Sequence, residues 1–298
     1  MTVAYGSSTY EAVRTATSTT GVNDQGWPRV SVVVPTLNEA LNLPAVFAAL
    51  PPVHEVIVVD GRSVDDSVAV ARALRPDARV VTQTRRGKGN ALACGFAAAT
   101  GDVIVMLDAD GSADPAEIPR FVAALAGGAD FAKGSRFVGG GGSTDITRVR
   151  SAGNKALNGL VNLVYGTRYT DLCYGYNAFW RRCLDVLDMP PVAVPAAGEE
   201  MMWGDGFEVE TLINVRIAKA GLRVTEVGSF ERERIHGRSN LNAVTDGLRV
   251  LRTVMAEVRG GRPVRRAPRW SLVLDTVRLA TAFCTRRARP RSGGRDLG

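Results

Sequence analysis

Three short apolar runs punctuate the first 115 residues: Val30–Val34, Glu55–Val59 and Val103–Leu107, the last of them unbroken. They are too short for helices and lack polar alternation, which predicts strands buried on both faces. Arg79–Thr82 reads as a further short strand. Helical spacing fills the intervals, over Asn42–Leu50, from Asp65-Asp66-Ser67 to Leu74, and through an Ala-rich stretch after Lys88-Gly89-Asn90 to Ala99. Asn38 and Asn42 are candidate caps of the first helix. Strand and helix thus alternate, which predicts an α/β fold whose mostly parallel central sheet is flanked by helices. The long runs end in polar clusters, Thr36–Glu39, Asp60–Ser63 and Asp108–Asp110. In a parallel sheet these ends share one edge, so three scattered turns become one polar crevice.

Past Asp114-Pro115 a helix is expected to about Ala126, then a strand Phe131–Lys133 ending at Gly134-Ser135-Arg136. Gly139–Gly142 reads as a flexible loop. Helical spacing returns at Leu157, Leu160, Val161 and Val164, either covering a crevice or packing as core. Leu222–Val227 reads as a late strand, and Asn242–Val258 as an amphipathic helix. Residues 190–205, with Met201, Met202 and Trp203, fit an acceptor lid, an interface or plain buried packing.

Composition divides the chain. The net charge of +7 over 298 residues is concentrated in residues 259–298, which hold eleven Arg and two Asp. The body is therefore close to neutral. The organisation read from this is an N-terminal arm (1–27), a catalytic domain (28–258) and a basic amphipathic tail (259–298). Within the tail, Trp270–Cys284 has a broad apolar face flanked by Arg, which fits peripheral contact with an anionic membrane through 264–291. The competing reading is a helix packed on the body. Nucleic acid is not expected, because no recognition element accompanies the charge. Cys94, Cys173, Cys183 and Cys284 lack metal spacing and indicate a reduced compartment. With no leader-like N-terminus and no run of about 18 apolar residues, a cytoplasmic protein, peripheral at the inner face of the membrane, is expected.

Asp108 and Asp110 follow a buried strand at i, i+2. That spacing lets two carboxylates share one hard cation, with phosphate oxygens completing the shell; the competing reading is a solvated turn. The chain has no G-x-G-x-x-G after its first strand, and Gly87-Lys88-Gly89 is not a P-loop.

Taken together, eight motifs resemble family-2 glycosyltransferases of the GT-A type, and among them the dolichyl- or polyprenyl-phosphate sugar (mannose or glucose) synthases. They are Val-Val-Val-Pro-Thr-Leu-Asn-Glu (32–39), Val-Val-Asp-Gly-Arg-Ser (58–63), Arg-Gly-Lys-Gly (86–89), Leu-Asp-Ala-Asp (107–110) and Gly-Ser-Arg (134–136). Later come Asp-Leu-Cys-Tyr-Gly-Tyr-Asn-Ala-Phe (171–179), Gly-Phe-Glu-Val-Glu (206–210) and His-Gly-Arg-Ser-Asn (236–240). The order matches the family over residues 29–258.

The resemblance implies a GT-A, Rossmann-like fold and a set of roles. Pro35, Glu39, Asp60 and Lys88 would hold the nucleotide. Asp108, Ala109 and Asp110, the DXD motif, would bring Mg²⁺ or Mn²⁺ to the donor diphosphate, with Ser112 standing where relatives often carry a longer polar ligand. His236 and Arg238 would close on that diphosphate. Arg136 and Arg150 would meet an acceptor phosphate, since Arg binds phosphate bidentately. Asp171 would deprotonate an alcohol acceptor, or orient a phosphate one that is already anionic. Glu208 and Glu210 are its rivals. The implied activity is inverting transfer of a hexose from a GDP- or UDP-sugar to a polyprenyl phosphate. The alternatives are transfer to a soluble hydroxyl acceptor and, from another class, a non-catalytic nucleotide-sugar binding module.

Overall fold

The structure, a computed structural model, describes residues 27–193, 201–237 and 243–259. The apolar runs become strands β1 (Val30–Thr36), β2 (Glu55–Asp60), β3 (Arg79–Thr82) and β4 (Val103–Met106). Helices α1 (Leu43–Ala49), α2 (Ser67–Leu74) and α3 (Lys88–Ala98) connect them. The second half supplies α4 (Ile118–Ala126), β5 (Phe131–Ser135), the two-residue β6 (Gly142–Ser143), α5 (Arg148–Tyr165), β7 (Asn177–Trp180) and α6 (Leu184–Leu187). It closes with α7 (Val209–Lys219), β8 (Val224–Gly228), β9 (Phe230–Glu231) and α8 (Ala243–Arg259).

The main sheet runs β3-β2-β1-β4-β7-β5-β8. All of its pairs are parallel except those of β7, which is antiparallel to both β4 and β5. The chain winds outward from β1 to β3 and then returns to the other side of β1 as β4. That reversal is the topological switch point at which open α/β sheets bind ligands. The core follows from composition: Val32, Val33, Val34, Ile57, Val58, Ile104 and Val105 are fully buried between helical layers. Phe179 of β7 stacks on Phe131 at 5.7 Å and meets Phe96 of α3 edge-on at 5.4 Å, joining both halves of the sheet in one core.

Three local expectations change. Asn42 stands at the α1 N-cap, but its side chain makes no cap hydrogen bond; it turns to Glu39 and to the His236 backbone instead. Asn38 adopts a left-handed φ of 57° and accepts from the Val64 amide. The glycine loop 139–142 is partly ordered, because Gly142 pairs in parallel with Phe230 as the β6–β9 ribbon. No described helix is long and apolar enough to cross a membrane.

Candidate active site

The carboxyl ends of β1, β2 and β4 converge as the alternation predicts. Asp60 pairs with Thr36 in the β1–β2 register, and the Gly61 amide donates to the Thr36 carbonyl at 2.7 Å. The Asp60 carboxylate accepts from the Arg62 and Ser63 amides, both at 3.1 Å, which fixes the turn leaving β2. Glu39, just beyond β1, accepts from Asn42 and pairs with Arg234 at 2.8 Å. Burial pushes its carboxyl up, and Asn42 and Arg234 only partly offset that.

Beyond β4 the two aspartates each carry a resident cation. The Lys88 Nζ, at the start of α3, lies 2.6 and 2.8 Å from the Asp108 oxygens and 2.6 Å from Glu210 Oε1. Burial would lower this lysine, but the two carboxylates hold its pKa well above the ordinary range. Burial raises Glu210, against the pull of Lys88. Arg234 reaches Asp110 Oδ2 at 3.3 Å, while Asp110 Oδ1 accepts from the Ser112 amide at 3.0 Å. The segment after β9 lies across this edge: Arg232 donates to the Ser112 carbonyl at 2.8 Å, and Ile235 to that of Asp110 at 3.2 Å.

Glu39, Lys88, Asp108, Asp110, Glu210 and Arg234 open onto a cleft of about 790 Å³, whereas Asp60 is buried and is not among its lining residues. Pro35, Glu39, Gly61, Lys88, Asp108, Ala109, Asp110 and Ser112 line one part of it. Another part is more apolar and comes from later elements: Val149, Arg150 and Leu157 of α5, Phe207 before α7, and Arg249 and Val250 of α8. Arg150 pairs with Asp145 at 2.7 Å.

A buried ionic network backs the cleft, whose wall also includes Arg136, Asn154 and Glu231. Asp171 is fully inaccessible, and its carboxylate takes Arg136 Nε at 2.7 Å, Arg136 Nη2 at 2.9 Å, the Arg136 amide at 3.1 Å and Asn154 Nδ2 at 2.9 Å. Arg136 also pairs with Glu231 at 3.0 Å, and its guanidinium lies 5.0 Å from the Tyr174 ring centroid. Burial would raise the Asp171 carboxyl, yet Arg136 holds it below the usual aspartate range. A carboxylate so saturated and so acidic has little basicity for taking a proton from an alcohol. Arg136, expected at an acceptor phosphate, has its donors directed to Asp171 and Glu231.

The other expected residues fall as follows. His236 is exposed and makes its hydrogen bonds to Asn42 through its backbone; Arg238 lies outside the described residues, as do the tail and most of the N-terminal arm. Glu208 accepts from the Gly204 and Gly206 amides, so of the two rivals Glu210 is the one joined to Lys88. Of residues 190–205, Asp205 is buried against Arg85 at 2.7 Å, and Trp203 lies 5.9 Å from the Arg252 guanidinium. The Asp205 carbonyl accepts from the Gly89 and Asn90 amides. A Cβ on Gly89 would collide with the Gly204 carbonyl. The α3 N-terminus is thus closed by protein backbone and makes no phosphate cradle, in keeping with the missing P-loop pattern.

Sequence reasoning gave no role to Arg234, Glu231 or Asn154. Arg234 and Glu231 stood in a charged run that reads as solvated surface, and Asn154 on a helix face of mixed polarity. Their partners lie 195, 95 and 17 residues away.

The donor set is of the kind that suits a hard divalent cation. Two partly exposed carboxylates supply hard oxygen donors in a cleft. Among the described residues no cluster of three or more His, Cys, Asp or Glu could hold a metal, so the rest of any shell must come from ligand and water.

Residues 31–187 match the family described as Glycosyl transferase family 2. An uncharacterized glycosyltransferase of Mycobacterium tuberculosis is 33% identical over 223 residues, covering 73% of this chain and 92% of that protein. The undecaprenyl-phosphate mannosyltransferase of Micrococcus luteus is 31% identical over 224 residues, covering 72% and 88%. Among solved structures, glucosyl-3-phosphoglycerate synthase from Mycobacterium tuberculosis, in complex with Mn²⁺, UDP and glucosyl-3-phosphoglycerate, superposes with a TM-score of 0.61 over 84% of each chain at 24% identity. That likeness establishes the shared fold. With the family match covering half the chain, and a relative 33% identical over 92% of its own length, the chain belongs to glycosyl transferase family 2 and is a glycosyltransferase.

Proposed function

We propose that this glycosyltransferase moves a hexose, with inversion, from a nucleotide diphosphate sugar to a polyprenyl phosphate. What supports the reading is the mixed lining of the cleft, one part carboxylates and cations from the sheet edge and another part apolar residues with arginines from α5 and α8. The first part suits a nucleotide diphosphate with its counter-ion. The second suits an amphiphile with an anionic head. Relatives whose names carry polyprenol or undecaprenyl-phosphate support the same acceptor class.

On this reading Asp60 accepts from the base and Glu39 from the ribose hydroxyls, beside Pro35. Asp108 and Asp110 would hold Mg²⁺ or Mn²⁺, which when bound stabilises the charge developing on the leaving diphosphate. Lys88 and Arg234 add positive potential at the same place. Arg150 and Arg249 meet the acceptor phosphate, and Asp171 orients Arg136 without moving a proton. An acceptor phosphate oxygen attacks the anomeric carbon as the bond to the diphosphate breaks; being anionic, it needs no base.

The test is radiolabelled GDP- or UDP-hexose incubated with enzyme and a polyprenyl phosphate in detergent. Chloroform-soluble label is expected. Label that stays aqueous with a small hydroxyl acceptor would overturn the lipid reading.

A further inference from the structure

Both aspartates of the metal pair are paired with cationic side chains, and each of those side chains has a second carboxylate within reach. Lys88 bridges Asp108 and Glu210 at 2.6 Å to each, and Arg234 bridges Asp110 at 3.3 Å and Glu39 at 2.8 Å. An ammonium in contact with both oxygens of Asp108 takes part of the carboxylate's acceptor capacity and sets a positive charge beside the place a divalent cation would occupy. The two cations therefore compete for Asp108. Where the ammonium can go is set by Glu210, which lies at the start of α7 and reaches Lys88 across 122 residues of sequence.

We propose that Glu210 is a positioning residue for cation exchange at Asp108: it retains the Lys88 ammonium when a divalent metal ion takes over the Asp108 carboxylate. The inference rests on the reading that Asp108 and Asp110 hold the metal. Gly175 makes the arrangement possible, because any Cβ there would collide with the Glu210 carboxylate. Lys88 and Glu210 are poorly exposed, at 15% and 16% of their side chains, so neither charge can simply retreat into water. Without Glu210 the lysine would have one anionic partner, Asp108, and would compete with the metal for it undivided. The exchange moves no proton and breaks no covalent bond. The Glu39–Arg234–Asp110 arrangement repeats the pattern on the second aspartate.

The experiment is Mn²⁺ titration of the full chain without nucleotide or acceptor, followed by the loss of the free-ion electron paramagnetic resonance signal. Glu210→Gln is expected to weaken Mn²⁺ binding on the order of tenfold, and Lys88→Met to tighten it by a similar factor. Lys88→Met/Glu210→Gln, which removes both charges together, is expected to bind at least as tightly as wild type. A purely structural Glu210 would not give this opposite-sign pattern with recovery in the double variant. Lys88→Met binding no tighter than wild type, or Glu210→Gln binding equally well, overturns the proposal. Asp108→Asn/Asp110→Asn separates the two levels. If it leaves Mn²⁺ binding intact, or if wild type binds none even when GDP or UDP is added, the metal-site reading falls and the proposal with it. If it abolishes binding while Lys88→Met has no effect, the exchange alone falls.

Discussion

Asp171→Asn distinguishes an orienting carboxylate from a general base. The carboxylate takes four donors, three of them from Arg136, between 2.7 and 3.1 Å in a fully buried setting. An amide offers one oxygen, so two of the four donors would then face an NH₂ group, and Arg136 would keep only Glu231 as counter-charge. Breaking a buried ion pair costs about 3–5 kcal/mol, and the retained Glu231 contact places the expected loss at about 3 kcal/mol. For a domain of this size that is roughly a 6–12 °C fall in Tm. Urea denaturation of both proteins, with turnover measured below the unfolding range, checks it. The expectation is a large stability loss with turnover reduced less than about tenfold at low temperature, since base catalysis typically contributes about 10²–10⁴. An Asp171→Asn enzyme as stable as wild type but slowed by a hundredfold or more would refute the reasoning and restore the base role.

The same network sets an acid limit. Arg136 holds the folded-state pKa of Asp171 below its ordinary value near 3.8, so its contribution is complete above that value and is lost as pH falls through the lower, folded one. Acid denaturation followed by circular dichroism should therefore show a weaker dependence on pH below about 4 in Asp171→Asn than in wild type. Asp110→Asn should abolish turnover with little change in melting, because Asp110 lies at the cleft wall rather than in the core; retained turnover would remove the metal assignment. Arg150→Ala should raise the KM for a lipid-phosphate acceptor several-fold, with the donor KM unchanged, in a steady-state assay. Removing residues 264–298 should reduce sedimentation with anionic vesicles if that basic segment contacts membrane.

Much of the sheet was legible because its central strands are buried on both faces and so read as short, mostly apolar runs. The helices between them carry the complementary period. β7 left no such signal, being four residues inserted antiparallel between β4 and β5, and it stood out only as part of a motif. The aspartates at 108 and 110 could be placed on the cleft edge because they follow a strand directly. What they contact could not be placed. Lys88 reads as a nucleotide contact, with nothing in its motif to show that α7 brings Glu210 against it, and Arg136 reads as a phosphate ligand until Asp171 and Glu231 close on it. Pairings of that kind are decided by packing between distant elements, where local pattern carries no information.

The central claim is that Glu39, Asp60, Lys88, Asp108 and Asp110 serve one nucleotide-sugar site. Differential scanning calorimetry against a panel of GDP- and UDP-hexoses, each with and without Mn²⁺ or Mg²⁺, tests it most directly. A ligand at a hundredfold its Kd stabilises the native state by about 2.7 kcal/mol. The account predicts a rise of several degrees with at least one donor only when the metal is present, and no rise in Asp110→Asn. A donor that raises the wild-type and Asp110→Asn melting temperatures equally, or a flat response across the whole panel, would contradict it.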